Sequence, residues 1–365
     1  MPSPSSKSAA PSCSVLVTDP KLLDRSLVAG AIGWERQQGS WVVLCVPSLV
    51  PVYVERAQRL AYAFGHPFTA EEMPRVQEMF REKVKAGFSA SPYSRLVVRY
   101  GTAPPPERGL VWQLETFVVS PQEQAEQFVV NRPPEQFEAF PDAMVMAVAD
   151  AVSTDAAAPS LDILDIGGGT GRNGLALAAA GHQVTVLDSN AVMLRALGDR
   201  LAERSEKSQV TVIEGSVLDE RVVFPSNGFD LVILTGVLPY FSSLEELQQV
   251  FQQVAIALKP GGQVLLDAFV TTDDYQPTGL AREMGRISDA MMFQPSTLDE
   301  AIAGTGLGLV GEDDAWAYEM ENLEPEAKEA RQWLESWAMA KRIFALPKGQ
   351  RPPVVLKWLR YSKQS

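Results

Sequence analysis

The feature that most constrains the fold is a regular alternation of strand and helix patterns in the second half of the chain. Strands are predicted at 161–166, 183–188, 209–213, 229–234 and 262–269, and helices at 171–180, 190–204 and 243–258. Such alternation is typical of a parallel sheet that is covered by helices on both faces. Two further predicted strands, near 307–318 and 353–361, bring this α/β sheet to seven.

A glycine-rich turn connects the first of these strands to the helix that follows. Its glycines are Gly167, Gly168, Gly169 and Gly171. Glycine lets a ligand approach the backbone closely, and a helix N-terminus favours polar or anionic groups. Asp188 ends the next strand, which is the usual place of an acid that binds ribose hydroxyls. The glycines at 169, 171 and 174 also fit the dinucleotide pattern G-x-G-x-x-G, so the turn alone is compatible with two nucleotide cofactors.

Later landmarks favour one of the two cofactors. Asp165 precedes the first glycine by two positions, and in that register the turn resembles motif I of class I SAM-dependent methyltransferases, E/D-x-G-x-G-x-G. Three further segments resemble that family in the expected order: the turn at 212–217, the fourth-strand motif at 229–238 and the LKPGG turn at 258–262. The resemblance covers about residues 140–318 and the last strand. It implies a Rossmann-like seven-stranded methyltransferase sheet and S-adenosylmethionine (SAM) as the cofactor.

The same resemblance implies roles for single residues. The implied SAM-binding residues are Asp165, Gly167, Gly168, Gly169, Gly171, Asp188, Ser189, Ser216, Val217 and Thr235. Asp165 would orient the amino group of SAM, and Asp188 would accept its ribose hydroxyls. Ser216, which stands where the family often has Asp, would border the adenine with Val217. Thr235 would face the sulfonium.

The catalytic residues are less constrained than the cofactor site. Alignment of the acceptor can supply much of the rate of methyl transfer, and a base is needed only when the acceptor must lose a proton. Relatives often carry histidine after the fourth-strand motif, where this chain has Tyr240. We predict Tyr240 and Asp267 as the catalytic residues, and expect His182 at the surface, at the opposite end of the sheet. The further candidate bases are Asp273, Asp274 and Tyr275.

The chain is predicted to have two domains and a tail. Residues 1–20 are rich in Ser, Pro and Ala and predict a disordered tail, residues 21–150 a smaller α+β domain that binds the substrate or a partner, and residues 151–365 the SAM-binding domain. Two segments interrupt the sheet, at 271–295 and at 323–345, and the second is predicted as one acidic helix. Because both leave from the carboxyl ends of strands, we expect them to roof the ligand site.

Composition excludes several classes of function. The net charge of −13 argues against general binding of nucleic acid. Two cysteines and two histidines are too few for a disulfide framework or a metal site, and they fit a cytoplasmic location. No apolar run has the roughly 20 residues of a membrane span.

The acceptor is left open between several hypotheses. About 130 residues before the SAM-binding domain suggest either a large acceptor or a homo-oligomer contact, so we favour N- or O-methylation of a protein side chain. One candidate resemblance is the family that methylates an asparagine of phycobiliproteins. The alternatives are a small-molecule O- or N-methyltransferase of secondary or quinone metabolism, an NAD(P)-dependent reductase, and a non-catalytic SAM-binding partner subunit. An apolar pocket between an insertion and the core would favour the small-molecule enzyme.

Overall fold

The computed structural model describes residues 19–35, 38–103, 109–131, 139–153, 160–241 and 243–364. The predicted disordered tail therefore lies almost entirely outside the described residues. Contacts divide the chain into two units, of which the second contains residues 44–48, 85–95 and everything from residue 117 onwards. The first unit contains the remaining residues up to 116.

The first unit is built around a small sheet. In chain order its elements are α1 (Pro20–Glu35), β1 (Gln38–Leu44), α2 (Val50–Ala63), α3 (Met73–Ala90), β2 (Arg95–Thr102) and β3 (Leu110–Phe117), and the strand order is β1-β2-β3. Trp41 of β1 is buried and stacks on Phe80 of α3 with ring centroids 6.1 Å apart, while Tyr53 of α2 meets it edge-on. The unit contains both helices and a sheet, which confirms the predicted α+β character of this region.

The second unit contains the larger sheet. Its strands are β4 (Asp162–Ile166), β5 (Gln183–Asp188), β6 (Val210–Glu214), β7 (Phe229–Leu234), β8 (Leu258–Thr271), β9 (Met292–Phe293), β10 (Leu307–Asp314) and β11 (Val354–Lys363). Seven of them follow the order β10-β11-β8-β7-β4-β5-β6, and the short β9 pairs with β8. Strands β4 to β8 are parallel, whereas β11 runs antiparallel to both of its neighbours. The predicted seven-stranded α/β sheet is thereby confirmed.

Helices cover both faces of this sheet. They are α4 (Pro121–Asn131), α5 (Ala143–Val152), α6 (Arg172–Ala179), α7 (Ala191–Ala202), α8 (Leu244–Ala257), α9 (Gly279–Ile287), α10 (Pro295–Ile302), α11 (Ala315–Asn322), α12 (Pro325–Ala330) and α13 (Gln332–Ala338). Successive strand residues point to opposite faces. Accordingly Leu266 belongs to a core with Phe251 of α8, and Leu265 to a second core with Val145 of α5.

Two expectations about local structure were wrong. The segment 323–345 does not form one helix, because the helical path breaks at Arg331, whose guanidinium group lies buried against acids from other elements. His182 is only 5% exposed rather than at the surface, and its Nδ1 accepts a hydrogen bond from the Leu161 amide at 3.2 Å. Among the helices that the structure describes, none is long and apolar enough to cross a membrane.

Candidate active site

The backbone of the glycine turn after β4 lies close to the backbone at the end of β5. The amide of Gly167 donates to the Leu187 carbonyl at 2.7 Å, which joins the turn to the end of β5. Gly167 has φ of +70°, and a Cβ atom there would lie 2.3 Å from a methyl group of Val237. A Cβ atom at Gly168 would lie 2.8 Å from the Asp165 carboxylate. Both positions therefore need glycine, one for its conformation and both for space.

Asp165 presents a buried carboxylate beside this turn. The residue is 1% exposed, and its oxygens accept no hydrogen bond of good geometry from the described residues, although the Gly174 amide lies near enough to act on it. Burial raises the pKa of Asp165 to about 7, although Arg172 and the Gly174 amide oppose the shift. A cavity of about 140 Å³ adjoins it, which Gly168, Phe128 and other residues line. A buried acid with so few donors fits a cationic ligand group such as an ammonium.

Asp188 is held in place at the end of β5. Its Oδ2 accepts the Gly169 amide at 2.9 Å, and its Oδ1 accepts the Asn190 amide at 2.7 Å. Burial raises the pKa of Asp188, and the hydrogen bonds from backbone amides oppose that shift. Each oxygen keeps a lone pair, because a carboxylate can accept about four hydrogen bonds. The carboxylate is thus fixed in orientation and able to accept two hydroxyl groups.

A larger cavity of about 820 Å³ extends from this region within the second unit. Of the residues predicted as site residues, it is lined by Gly167, Gly169, Asp188, Ser189, Ser216, Val217, Tyr240 and Asp267. Asp165, Gly168 and Thr235 line the smaller cavity. Gly171 lies outside both linings, where it precedes α6. The candidate bases Asp273, Asp274 and Tyr275 also lie outside them.

The wall of the cavity farther along the sheet is aromatic. Trp358 of β11 is paired with Asp267 of β8, so the two side chains share one face of the sheet. Trp333 and Trp337 of α13 also line the cavity. The Trp337 ring meets Phe269 edge-on at 5.1 Å between centroids. Residues of the insertion at 323–345 therefore form part of the cavity wall.

A second group of polar residues lines the same cavity. The Tyr93 hydroxyl donates to Oδ1 of Asp289 at 2.5 Å, and the Tyr240 hydroxyl also interacts with this carboxylate. The Tyr240 side chain is 63% exposed, because it borders the open cavity. Burial raises the pKa of Asp289, against the opposing effects of Tyr93 and Arg342. Asp289 comes from the insertion at 271–295, and sequence patterns had not indicated it or Tyr93.

Asp267 lies deeper in the cavity. It is 5% exposed, and its Oδ1 accepts the Gly236 amide at 2.6 Å. Burial raises the pKa of Asp267 to about 7 despite that hydrogen bond. A carboxyl group with a pKa near neutrality can take up a proton during turnover. Asp267 therefore lines the cavity, and its role as a base stays a prediction.

A buried charge cluster supports the wall of the cavity. Arg331 donates to Asp142 at 2.6 Å and to Glu319 at 3.2 Å, and Arg172 pairs with Asp142 at 2.9 Å. Asp142 also accepts a hydrogen bond from the Asn173 side chain at 2.8 Å. Burial would raise the pKa of Asp142, but the two arginines hold it below its usual value. Asp142 and Glu319 are therefore compensated by cations.

Comparison with known proteins finds similarity for the core of this unit. The family model described as a methyltransferase domain matches residues 163–262. The ubiquinone/menaquinone biosynthesis C-methyltransferase UbiE of Pseudomonas paraeruginosa (strain DSM 24068 / PA7) is 32% identical over 110 residues, which cover 29% of this chain and 41% of that protein. The cypemycin N-terminal methyltransferase of Streptomyces sp is 31% identical over 145 residues, covering 38% of this chain and 55% of that one. The chain thus spans about half the length of these curated relatives.

Among solved structures, a geranyl diphosphate methyltransferase in complex with SAM aligns with a TM-score of 0.46 and 14% identity, over 67% of this chain and 91% of that one. The matched segment holds the glycine turn, Asp188 and the strands β4 to β7, and the sheet has the predicted seven strands in its main path. Residues 163–262 are therefore similar to a methyltransferase domain, in the segment whose motifs resemble those of class I SAM-dependent methyltransferases. SAM is the cofactor of this class, and the buried Asp165 carboxylate and the glycine cradle fit it.

Proposed function

We propose that the protein is a SAM-dependent methyltransferase whose acceptor is a small molecule bound in the aromatic part of the large cavity. The observation that supports the acceptor class is the cavity itself. The cavity of about 820 Å³ extends from Asp188 and Ser216, where SAM would lie, to the indole rings of Trp333, Trp337 and Trp358. It thus offers a concave, partly aromatic site for a small molecule beside the cofactor, with polar groups such as Asp267 and Asp289 in its wall.

The position of the cavity wall supports the same proposal. Trp333, Leu334 and Trp337 line the same cavity as Asp267. A small molecule bound beside Asp267 would contact these apolar side chains. The alternative of a protein acceptor, including the asparagine of a phycobiliprotein, remains a hypothesis that the same experiment tests.

In this proposal, the residues of the cavity bind SAM, exclude water and accept a proton. When bound, SAM supplies a methyl group on a positively charged sulfur. Asp165 would bind its ammonium group and Asp188 its ribose hydroxyls, which fixes where the methyl group points. The indole rings would exclude water, and Asp267 would take a proton on Oδ2, since Oδ1 already accepts the Gly236 amide. Positioning of the two reactants accounts for most of the rate in such a scheme.

The test uses full-length protein and SAM that carries an isotopic label in its methyl group. The protein is incubated separately with a metabolite extract and with extract proteins freed of small molecules. We expect label in the metabolites only. Label only in proteins would refute the small-molecule acceptor.

Binding measurements separate the remaining hypotheses. We expect SAM to raise the melting temperature, and the variant Asp188→Ala to lose SAM binding, while the exposed control Asp150→Asn retains it. Stabilisation by NADP and not by SAM would support a reductase. Tight SAM binding without transfer to either extract would support a non-catalytic subunit.

A further inference from the structure

Two carboxylates of the large cavity are not neutralised by an ion pair. Asp142 and Glu319 are compensated by arginines, and Asp188 faces the cofactor. Asp267 and Asp289 differ from them, because in the described part of the chain neither makes an ion pair, although Arg172 acts on Asp267 from a distance and the exposed Arg342 acts on Asp289. Anionic acceptors would be repelled from this part of the cavity, and a cation would be attracted to it.

One turn brings these two carboxylates into the same neighbourhood. The Gly236 amide donates to Asp267, and the Tyr240 hydroxyl, four residues later, interacts with Asp289. This turn directly follows β7, at the carboxyl edge of the sheet where the glycine turn also lies. The carboxylates are therefore next to the cofactor region and on the side where an acceptor has to bind.

The aromatic rings around them favour the same kind of ligand. Trp333, Trp337, Trp358 and Tyr240 line the cavity together with the two acids. The faces of indole and phenol rings attract cations, by about 0.5–2 kcal/mol for each well-placed contact. A set of rings beside carboxylates that make no ion pair is a common chemical environment for an ammonium group, and a poor one for a carboxylate or phenolate.

We propose that the acceptor is a small amine, which binds as its ammonium ion between Asp289 and the indole rings and is methylated on nitrogen. This inference rests on the proposed function. The ammonium gives one proton to Oδ2 of Asp267, and the nitrogen lone pair then forms the bond to the methyl carbon. The carbon–sulfur bond breaks with its electron pair going to sulfur, which becomes a neutral thioether. The product is the N-methylammonium ion, and Asp267 releases its proton to solvent.

The first experiment compares three probes with the same ring and chain and different head groups: phenethylamine, phenethyl alcohol and phenylacetate. Each is titrated calorimetrically into full-length protein saturated with S-adenosylhomocysteine, which leaves the acceptor side open. We expect the amine to bind at least roughly tenfold more tightly than the alcohol, and the carboxylate to bind most weakly. Equal binding of all three, including no binding of any, or tighter binding of the alcohol or carboxylate, would overturn the inference.

The variant Asp289→Asn identifies the group responsible. Asn tolerates the left-handed backbone that Asp289 adopts, with φ of +50°, so the variant should fold. We expect it to lose roughly tenfold or more in amine binding and nothing in alcohol binding. Tyr93→Phe keeps the carboxylate and should lose less, and the exposed control Asp150→Asn should lose nothing. An unchanged affinity of Asp289→Asn for the amine would refute the role of Asp289.

Analysis of the labelled product shows whether the natural acceptor is methylated on nitrogen. Labelled metabolites from the extract assay are first separated from unreacted SAM, which is itself a cation, and are then passed over a cation exchanger at low pH, where N-methyl products are retained and neutral methyl ethers are not. Retained label supports the amine. Label that passes through would overturn the amine and leave the small-molecule methyltransferase intact, whereas label only in extract proteins would overturn the proposed function itself.

Discussion

Replacement of Arg331 by Met should destabilise the second unit strongly. Arg331 is 1% exposed and pairs with Asp142 and Glu319, which are themselves buried. Methionine has a similar length and no charge, so the variant would leave two buried carboxylates with one cation fewer. Such a change usually costs about 3–5 kcal/mol, because the remaining charge is not solvated.

The structure indicates the lower end of that range. Asp142 keeps Arg172 at 2.9 Å, and Glu319 keeps the amides of Ala143 and Met144 at 2.9 and 3.1 Å. We therefore expect a loss of about 3 kcal/mol in the free energy of unfolding, or a fall in melting temperature on the order of 6–12 °C. The control Lys341→Met removes an exposed ion pair with Glu335 and should cost less than about 1 kcal/mol.

The effect should also depend on pH. Burial raises the pKa of Glu319 even in the intact cluster, and removal of Arg331 would raise it further. A carboxyl group whose pKa is raised in the folded state favours folding at low pH and loses this contribution as the pH rises through that pKa. The loss in free energy of unfolding that Arg331→Met causes, measured with urea, should therefore become smaller as the pH falls from 8 to 5. A deficit below about 1 kcal/mol, or a double variant Arg331→Met with Glu319→Gln that is less stable than the single variant, would refute this reasoning.

Three further outcomes are expected. Gly167→Ala should destabilise the fold by about 1–3 kcal/mol in thermal unfolding, and truncation of Val237 to Ala should restore part of the loss, because the added Cβ atom would overlap that side chain. SAM affinity, measured calorimetrically, should fall by up to about tenfold per pH unit below pH 7, since Asp165 must ionise to bind an ammonium group. The variant Asp165→Asn should bind SAM weakly, with an affinity that does not depend on pH. The kcat/KM for the acceptor should fall as the pH drops below about 7, where Asp267 is protonated. The variant Asp267→Asn should have a low kcat/KM at every pH and should not show this decrease.

The cofactor site could be predicted because its parts are local in sequence. A strand, a glycine turn and a helix fix Asp165 and Gly167, and the end of the next strand supplies Asp188. Each of these positions follows from strand periodicity and from the need for glycine at a close approach. The alternation of strands and helices predicts a largely parallel sheet covered on both faces, so the α/β fold was predictable as well.

The proposed acceptor side could not be predicted in the same way, because its candidate residues are far apart in the chain. Tyr93 precedes the sheet and Asp289 follows β8, yet the two side chains are 2.5 Å apart. No periodic pattern marks either residue. The break at Arg331 has the same origin, since the helical pattern of 323–345 is local while the acids that bind Arg331 come from other elements.

Asp289 has two functions in the structure that a substitution can separate. Its carbonyl accepts the Trp337 indole N–H at 3.1 Å, and its carboxylate accepts the Tyr93 hydroxyl, so one residue fixes both an aromatic wall and a polar group of the cavity. Asn keeps the backbone conformation and hence the bond to Trp337, but it removes the negative charge. A defect of Asp289→Asn that is confined to amines therefore measures the charge alone. A defect shared by amine and alcohol would instead show that the residue acts by holding the indole ring in place.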